Sequence, residues 1–106
     1  MKMALGRGRF LLAERDKNLR DLAELGMVVA DVYQVLQRLS VSDYCQGPLD
    51  DERGRAKQWW VFGPRYEGMV LYVKVCVNRN GCVECLSFHR AAHPLPYPLL
   101  GREGQP

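Results

Sequence analysis

The sequence predicts an α+β fold in which two N-terminal helices pack on a small antiparallel β-sheet. Apolar residues recur at helical spacing before Ser40, whereas they alternate at strand spacing in the C-terminal half. An Asn80-Gly81 pair joins two of the alternating segments. This pair is the strongest short signal for a β-hairpin, because both central residues of a type I′ turn need positive φ. Helices that precede the strands, rather than alternating with them, favour the α+β class.

Length and composition are those of one ordinary globular domain. The chain has 106 residues, of which 47% are hydrophobic and 25% charged. We expect a single domain over residues 1–90 and an extended or disordered tail over residues 91–106, where closely spaced prolines oppose regular structure. Tyr97 and Leu99 are the tail residues that we expect to pack on the domain. Apolar runs are shorter than a membrane span or a secretory signal requires, which predicts a cytoplasmic protein with no membrane association.

The helices are predicted from Glu14 to Leu25 and from Val29 to Leu39. Gly26 follows the first helix where a C-cap glycine belongs, and the second helix carries an apolar stripe that should pack inward. The segment from Gln46 to Ala56 is polar and contains Gly-Pro and Asp-Asp pairs. It is therefore predicted to be an exposed loop.

The sheet is predicted to contain a strand at Gln58–Phe62 and a hairpin formed by residues 70–77 and 82–90. The two-residue Asn80-Gly81 turn fixes which residues of the hairpin lie opposite each other, and the apolar pattern supports this register. We expect Val73, Val75, Leu86 and Phe88 to be buried. The predicted pairs are Val73–Phe88 and Val75–Leu86 on the core face, and Tyr72–His89, Lys74–Ser87 and Cys76–Cys85 on the other face.

The second face of this hairpin carries residue types that can cleave RNA without a metal ion. Tyr72, Lys74, Ser87 and His89 lie there, and Arg65 is in the preceding loop. Such cleavage needs a base for the 2′-OH proton, a cation for the phosphorane charge and an acid for the leaving oxygen. Opposed strand residues have Cβ atoms about 4.5–5.5 Å apart, so Tyr72 and His89 can share one phosphate. The alternative is the ordinary polar face of an antiparallel sheet.

Positive charge is concentrated in the segment that begins at Arg53. The net charge of +3 permits a polyanionic partner without requiring one. Arg53, Arg55 and Lys57 precede the first predicted strand and form a predicted RNA-binding surface. Trp60 is added to it as a base-stacking residue, because adjacent strand residues point to opposite faces and one tryptophan can be exposed. The alternative is that one tryptophan packs on the helices and the other covers an edge.

The cysteines show a spacing that resembles half of a zinc site. Cys82 and Cys85 form a CxxC, His89 follows, and Cys76 lies upstream. On a strand, however, Cys82 and Cys85 point to opposite faces. We therefore predict no metal and no cofactor, and we interpret the cysteines as small, partly buried apolar residues. A disulfide between Cys76 and Cys85 is conceivable across the strands but is not expected in a reducing cytoplasm.

Scattered positions between residues 20 and 90 resemble the MqsR family of type II toxins. The matching runs are Leu39-Ser40-Val41-Ser42-Asp43-Tyr44, Trp60, Pro64-Arg65, Gly68, Val70-Leu71-Tyr72-Val73-Lys74-Val75 and Leu86-Ser87-Phe88-His89. The resemblance implies a RelE/bacterial RNase-like fold and a metal-independent endoribonuclease that cuts single-stranded mRNA without the ribosome. It also implies a cognate DNA-binding antitoxin as the protein partner.

The resemblance also assigns roles to individual positions. The family's sheet tyrosine falls on Tyr72 and its next lysine on Lys74, while its late basic residue, usually lysine, falls on His89, which titrates nearer neutrality. Another family lysine falls near Gln46, which carries no charge, so a loop cation such as Lys57 would have to replace it. A non-catalytic RNA- or protein-interaction module on the same fold is the alternative function. The predicted catalytic residues are His89, Tyr72, Lys74 and Arg65.

Overall fold

A computed structural model describes residues 10–12, 16–54, 56–77 and 81–99, and it confirms the α+β class. In these residues, two helices and six strands follow one another, with a short 3₁₀ turn at Val41–Asp43. The elements are β1 (Phe10–Leu12), α1 (Asp16–Leu25), α2 (Val29–Gln37), β2 (Tyr44–Asp50), β3 (Gln58–Phe62), β4 (Arg65–Tyr66), β5 (Met69–Val77) and β6 (Val83–Arg90). No helix among them is long and apolar enough to cross a membrane.

The strands form a sheet in the order β1-β6-β5-β3-β2, and the short β4 pairs with β5. β1 runs parallel to β6, whereas the other pairs are antiparallel. β1 was not predicted. The predicted exposed loop over Gln46–Ala56 is wrong in its first half, because residues up to Asp50 belong to the edge strand β2. An edge strand tolerates Pro48, since its missing N–H removes no bond from a central ladder.

Backbone hydrogen bonds determine where α1 ends. Gly26 has φ of +68°, which glycine adopts without steric cost. Its N–H donates to the Ala23 carbonyl, and the Met27 N–H donates to the Leu22 carbonyl at 3.0 Å. This pair of bonds is a Schellman motif, so the predicted cap is confirmed. α2 ends two residues before the predicted Leu39, although Leu39 is still buried.

The main core lies between the two helices and one face of the sheet, which we call the helix-side face. Helix residues such as Val32 and Leu36 are fully buried there against strand residues such as Val73 and Phe88. The buried members of this core are Leu22, Met27, Val32, Val35, Leu36, Leu39, Leu71, Val73, Val75, Val83, Cys85 and Phe88.

The hairpin register is as predicted up to Lys74–Ser87 and is then shifted by a β-bulge. Beyond it, Val75 lies opposite Cys85 and Cys76 opposite Glu84, so the predicted Val75–Leu86 and Cys76–Cys85 pairs are wrong. Leu86 is the extra residue and is half-buried rather than buried. The physical reason is burial: the bulge turns Val83 and Cys85 into the core and Glu84 to the opposite face. Of the turn, Gly81 has φ of +74°, while Asn80 lies outside the described residues.

The described part of the tail, residues 91–99, has no regular secondary structure but is fixed to the sheet. The Ala91 N–H donates to the Val70 carbonyl at 2.9 Å. The Tyr97 hydroxyl donates to the Gly63 carbonyl at 2.9 Å, and Leu99 is half-buried. The predicted contact of Tyr97 with the domain is thus confirmed, and that of Leu99 stays a prediction.

Candidate functional site

The centre of the candidate site is the cross-strand pair formed by Tyr72 on β5 and His89 on β6. The two residues lie directly opposite each other, as the sequence predicts. Their rings stack with centroids 5.0 Å apart and planes inclined by 15°. Both side chains are half-buried on the face of the sheet that points away from the helices, which we call the outer face. The pair is therefore held in a defined arrangement and reached by solvent.

One hydrogen bond defines which nitrogen of His89 can act as a base. The Nδ1 atom lies 2.8 Å from the Arg90 carbonyl oxygen. A carbonyl oxygen can only accept, so the proton of this bond belongs to Nδ1. In the neutral ring, Nε2 then carries the free lone pair and is the atom that can accept a proton.

Tyr72 is suited to donate a hydrogen bond rather than to act as a base. Burial raises the pKa of its phenol above the ordinary value, and the nearby Cys45 and Glu52 raise it further. The hydroxyl is therefore protonated at neutral pH. It can donate to a phosphate oxygen or to a leaving alkoxide.

Lys74 and Ser87 lie next to this pair on the outer face. Lys74 follows Tyr72 by two positions, which is about 6.6–6.8 Å along a strand. It lies opposite Ser87 on one side and Val61 on the other. The sequence thus placed Tyr72, Lys74, Ser87 and His89 on one face, and the structure confirms that placement. Lys74 is half-buried as a residue, and a lysine ammonium group beside a phosphate can stabilise negative charge that develops there.

Lys57 also points to the outer face but is engaged by a carboxylate. Its Nζ atom lies 3.1 Å from both carboxylate oxygens of Glu84. The same carboxylate accepts a hydrogen bond from the Cys76 thiol at 3.7 Å. Lys57 was predicted to bind RNA, and this ion pair offsets its charge. The β-bulge brings Glu84 onto this face, so a prediction that included the bulge would have indicated the Lys57–Glu84 ion pair.

Among the other predicted RNA-binding residues, Trp60 lies on the opposite face of the sheet from the pair. Trp60 lies opposite Val75, so it faces the helix side and not the side of Tyr72 and His89. Its neighbour Trp59 is buried on the outer face, where its Nε1–H donates to Asp51 at 3.0 Å. Arg53 is exposed, and Arg55 lies outside the described residues.

Arg65, the fourth predicted catalytic residue, lines a neighbouring cleft. It is exposed on β4, opposite Val70. The cleft has a volume of about 430 Å³ and is also lined by Arg38 of α2 and Tyr97 of the tail. The sequence pattern predicts no role for Arg38 and only a packing role for Tyr97. No local pattern could indicate the cleft, because its walls come from three distant parts of the chain.

The cysteines are placed as apolar residues, as the sequence predicts. Cys45, Cys76 and Cys85 are buried, Cys82 is half-buried, and none of the four forms a disulfide. Burial raises the pKa of Cys45 to about 11 and that of Cys85 to about 12. The bulge places Cys76 and Cys85 on opposite faces, which removes the cross-strand disulfide geometry. Among the described residues, no group of three or more His, Cys, Asp or Glu is arranged to hold a metal ion.

No protein-family model, curated protein or solved structure matches this chain.

Proposed function

We propose that the protein is the toxin of a type II toxin–antitoxin system, acting in the cytoplasm as a metal-independent endoribonuclease on single-stranded mRNA. The observation that carries the proposal is the stacked Tyr72–His89 pair, with His89 Nδ1 hydrogen-bonded to a carbonyl and Nε2 left as a base. The proposal includes a RelE-like arrangement of the α+β fold and a cognate DNA-binding antitoxin as the partner that neutralises the toxin.

The proposed reaction is an internal transesterification, in which the 2′-oxygen replaces the 5′-oxygen on phosphorus. His89 Nε2 takes the proton of the 2′-OH, and the 2′-oxygen attacks phosphorus. The bond from phosphorus to the 5′-oxygen then breaks, and this oxygen receives a proton from the Tyr72 hydroxyl. Lys74 stabilises the extra negative charge of the phosphorane. The products are a 2′,3′-cyclic phosphate and a 5′-hydroxyl end.

A non-catalytic RNA-binding module is the second candidate function. The observation that favours it is the charge balance of the outer face. Lys57 is neutralised by Glu84, and the position where the resembled family has a lysine holds the exposed, uncharged Gln46. A protein that keeps the fold and a polar face, but has fewer free cations, would bind RNA weakly without cleaving it.

The test is regulated expression in a bacterial host, combined with mapping of RNA 5′ ends. The wild-type protein should arrest growth and produce new 5′ ends, whereas His89→Ala should do neither. His93→Ala is the matched control, because His93 is an exposed histidine of the tail, and it should behave like wild type.

Two outcomes would contradict the proposal. Soluble, folded wild-type protein that neither arrests growth nor generates 5′ ends would favour the non-catalytic module. Identical 5′ ends from His89→Ala would show that the reaction belongs to other residues.

A further inference from the structure

The cleft beside the pair has the size and composition of a small-ligand site. It lies between α2, the β3–β4 connection and the tail, and its volume of about 430 Å³ is within the range of ligand pockets. Two arginines, Arg38 and Arg65, and two tyrosines, Tyr66 and Tyr97, contribute to its walls. The two arginines differ from Lys57 on the outer face, which is already paired with Glu84.

The arginines of the cleft are available to an anion. Both side chains are exposed, and within the described part of the chain neither makes an ion pair. Asp43 also lines the cleft, and its Oδ2 atom already accepts hydrogen bonds from the Ser40 N–H at 2.9 Å and the Ser40 hydroxyl at 3.3 Å. Guanidinium groups match the geometry of phosphate oxygens and bind them through paired hydrogen bonds.

The tail supplies a fixed aromatic wall. The Tyr97 hydroxyl donates to the Gly63 carbonyl, which anchors the ring at the cleft. A Cβ atom at Gly63 would lie 2.7 Å from the Tyr97 hydroxyl oxygen and 2.7 Å from Leu95 Cδ1, so a larger residue at position 63 would displace these two side chains. Tyr66 provides a second ring from β4. Aromatic rings beside cations are the features that hold a nucleotide base and its phosphate.

The cleft is also close to the Tyr72–His89 pair along the sheet. Arg65 lies opposite Val70, which precedes Tyr72 by two positions on β5. Two residues span about 6.6–6.8 Å of a strand. A nucleic-acid strand that passes the N-terminal end of β5 can therefore reach both Arg65 and the Tyr72–His89 pair.

We infer that this cleft is a nucleotide subsite, in which Arg38 and Arg65 bind a phosphate and the tyrosine rings contact the base. Its assignment to the nucleotide next to the cleaved bond rests on the proposed function. The inference extends the RNA-binding surface to α2 and to the tail. It gives Arg65 a binding role in the cleft and makes Tyr97 part of the site.

The test is a titration of ¹⁵N-labelled full-length protein with uridine and adenosine 5′-monophosphates and, separately, with inorganic phosphate. The nucleotides should shift the amide signals of Gly63, Arg65 and Tyr97. Arg38→Gln should weaken nucleotide binding about tenfold, because a charge-assisted hydrogen bond is lost. Arg20→Gln, which removes an exposed arginine from α1, is the matched control and should change it by less than about twofold. Inorganic phosphate should bind about tenfold more weakly, because it cannot stack.

Three results would overturn the inference: nucleotide shifts absent from the cleft, equal losses in Arg38→Gln and Arg20→Gln, or equal affinity for phosphate and nucleotide. The same spectra show whether each variant is folded. The titration involves no cleavage, so an inactive wild-type protein would count against the proposed function and leave this test intact. A protein that cleaves RNA but shows no shifts in the cleft would refute the subsite alone.

Discussion

His89 derives its candidate role from its two contacts. The hydrogen bond from Nδ1 to the Arg90 carbonyl selects one tautomer, and the stack on Tyr72 fixes the plane of the ring. His93, the other histidine of the chain, is exposed in the tail. The comparison shows why the residue type alone does not define a base: a base must also be oriented toward the proton that it takes.

Cys85 leads to a prediction about stability at alkaline pH. It is fully buried, and burial raises its pKa from the ordinary 9.0 to about 12. The unfolded chain therefore loses this proton first, and the free energy of unfolding should fall as pH rises from about 9 toward 12. Chemical denaturation at a series of pH values should show a smaller alkaline decline for Cys85→Ala than for wild type.

The control for this measurement is Cys82→Ala, because Cys82 is only half-buried and forms no disulfide. This variant should show the same decrease in the free energy of unfolding with rising pH as the wild type. An unchanged pH dependence in Cys85→Ala would contradict the assigned burial of that thiol. The comparison uses the slope of the free energy of unfolding against pH. A loss of packing in Cys85→Ala lowers this free energy at every pH and so does not change the slope.

At the scale of elements, β6 shows both what the sequence predicts and where local pattern fails. In a regular strand, Leu86 and Phe88 would point to one face of the sheet, and Val83 and Cys85 would point to the other. A single register extended from the turn could not bury both sets, and the bulge at Leu86 resolves the conflict. The Tyr72–His89 pair was predicted correctly because it lies on the side of the bulge where the predicted register holds.

The edge strand β2 and the cleft were missed for different physical reasons. Gly47-Pro48 is a turn signal in isolation, but Gly47 has φ of +132° and a Cβ there would lie 2.8 Å from Trp60 Cδ1. The glycine therefore serves close packing in an irregular strand and not a loop. The cleft depends on Arg38 and Tyr97, which are brought together only by tertiary contacts. Hydrophobic periodicity contains no information about such contacts.

A buried amide joins α1 to the bulge and gives a second stability prediction. Asn18 is 1% exposed, and its Nδ2 donates to the Leu86 carbonyl at 3.0 Å. Asn18→Leu keeps a similar volume but removes the donor, so it should lower the free energy of unfolding by about 1–3 kcal/mol. Leu19→Ala, at a position that is 58% exposed, is the control and should cost less than about 0.5 kcal/mol in most surface contexts. Wild-type stability of Asn18→Leu in chemical denaturation would contradict this anchoring role.

At the scale of the whole molecule, one face of the sheet forms the main core and the other carries the candidate site. The helix-side face forms the main core, and the outer face combines buried residues such as Trp59 and Val61 with the polar pair. The tail closes the cleft at the end of β5 near Arg65. The proposed reaction lies on the outer face, and the proposed nucleotide subsite lies between α2, the β3–β4 connection and the tail.

The most direct measurement is the rate at which purified protein cleaves single-stranded RNA in the presence of a chelator. Wild-type protein should form 2′,3′-cyclic phosphate ends, and His89→Ala should be slower by about 10²–10⁴-fold, the usual contribution of general acid–base catalysis. His89→Lys should retain activity with its optimum at higher pH, because lysine titrates well above histidine, and His93→Ala should match wild type. Folded His89→Ala that cleaves at the wild-type rate would contradict the central claim.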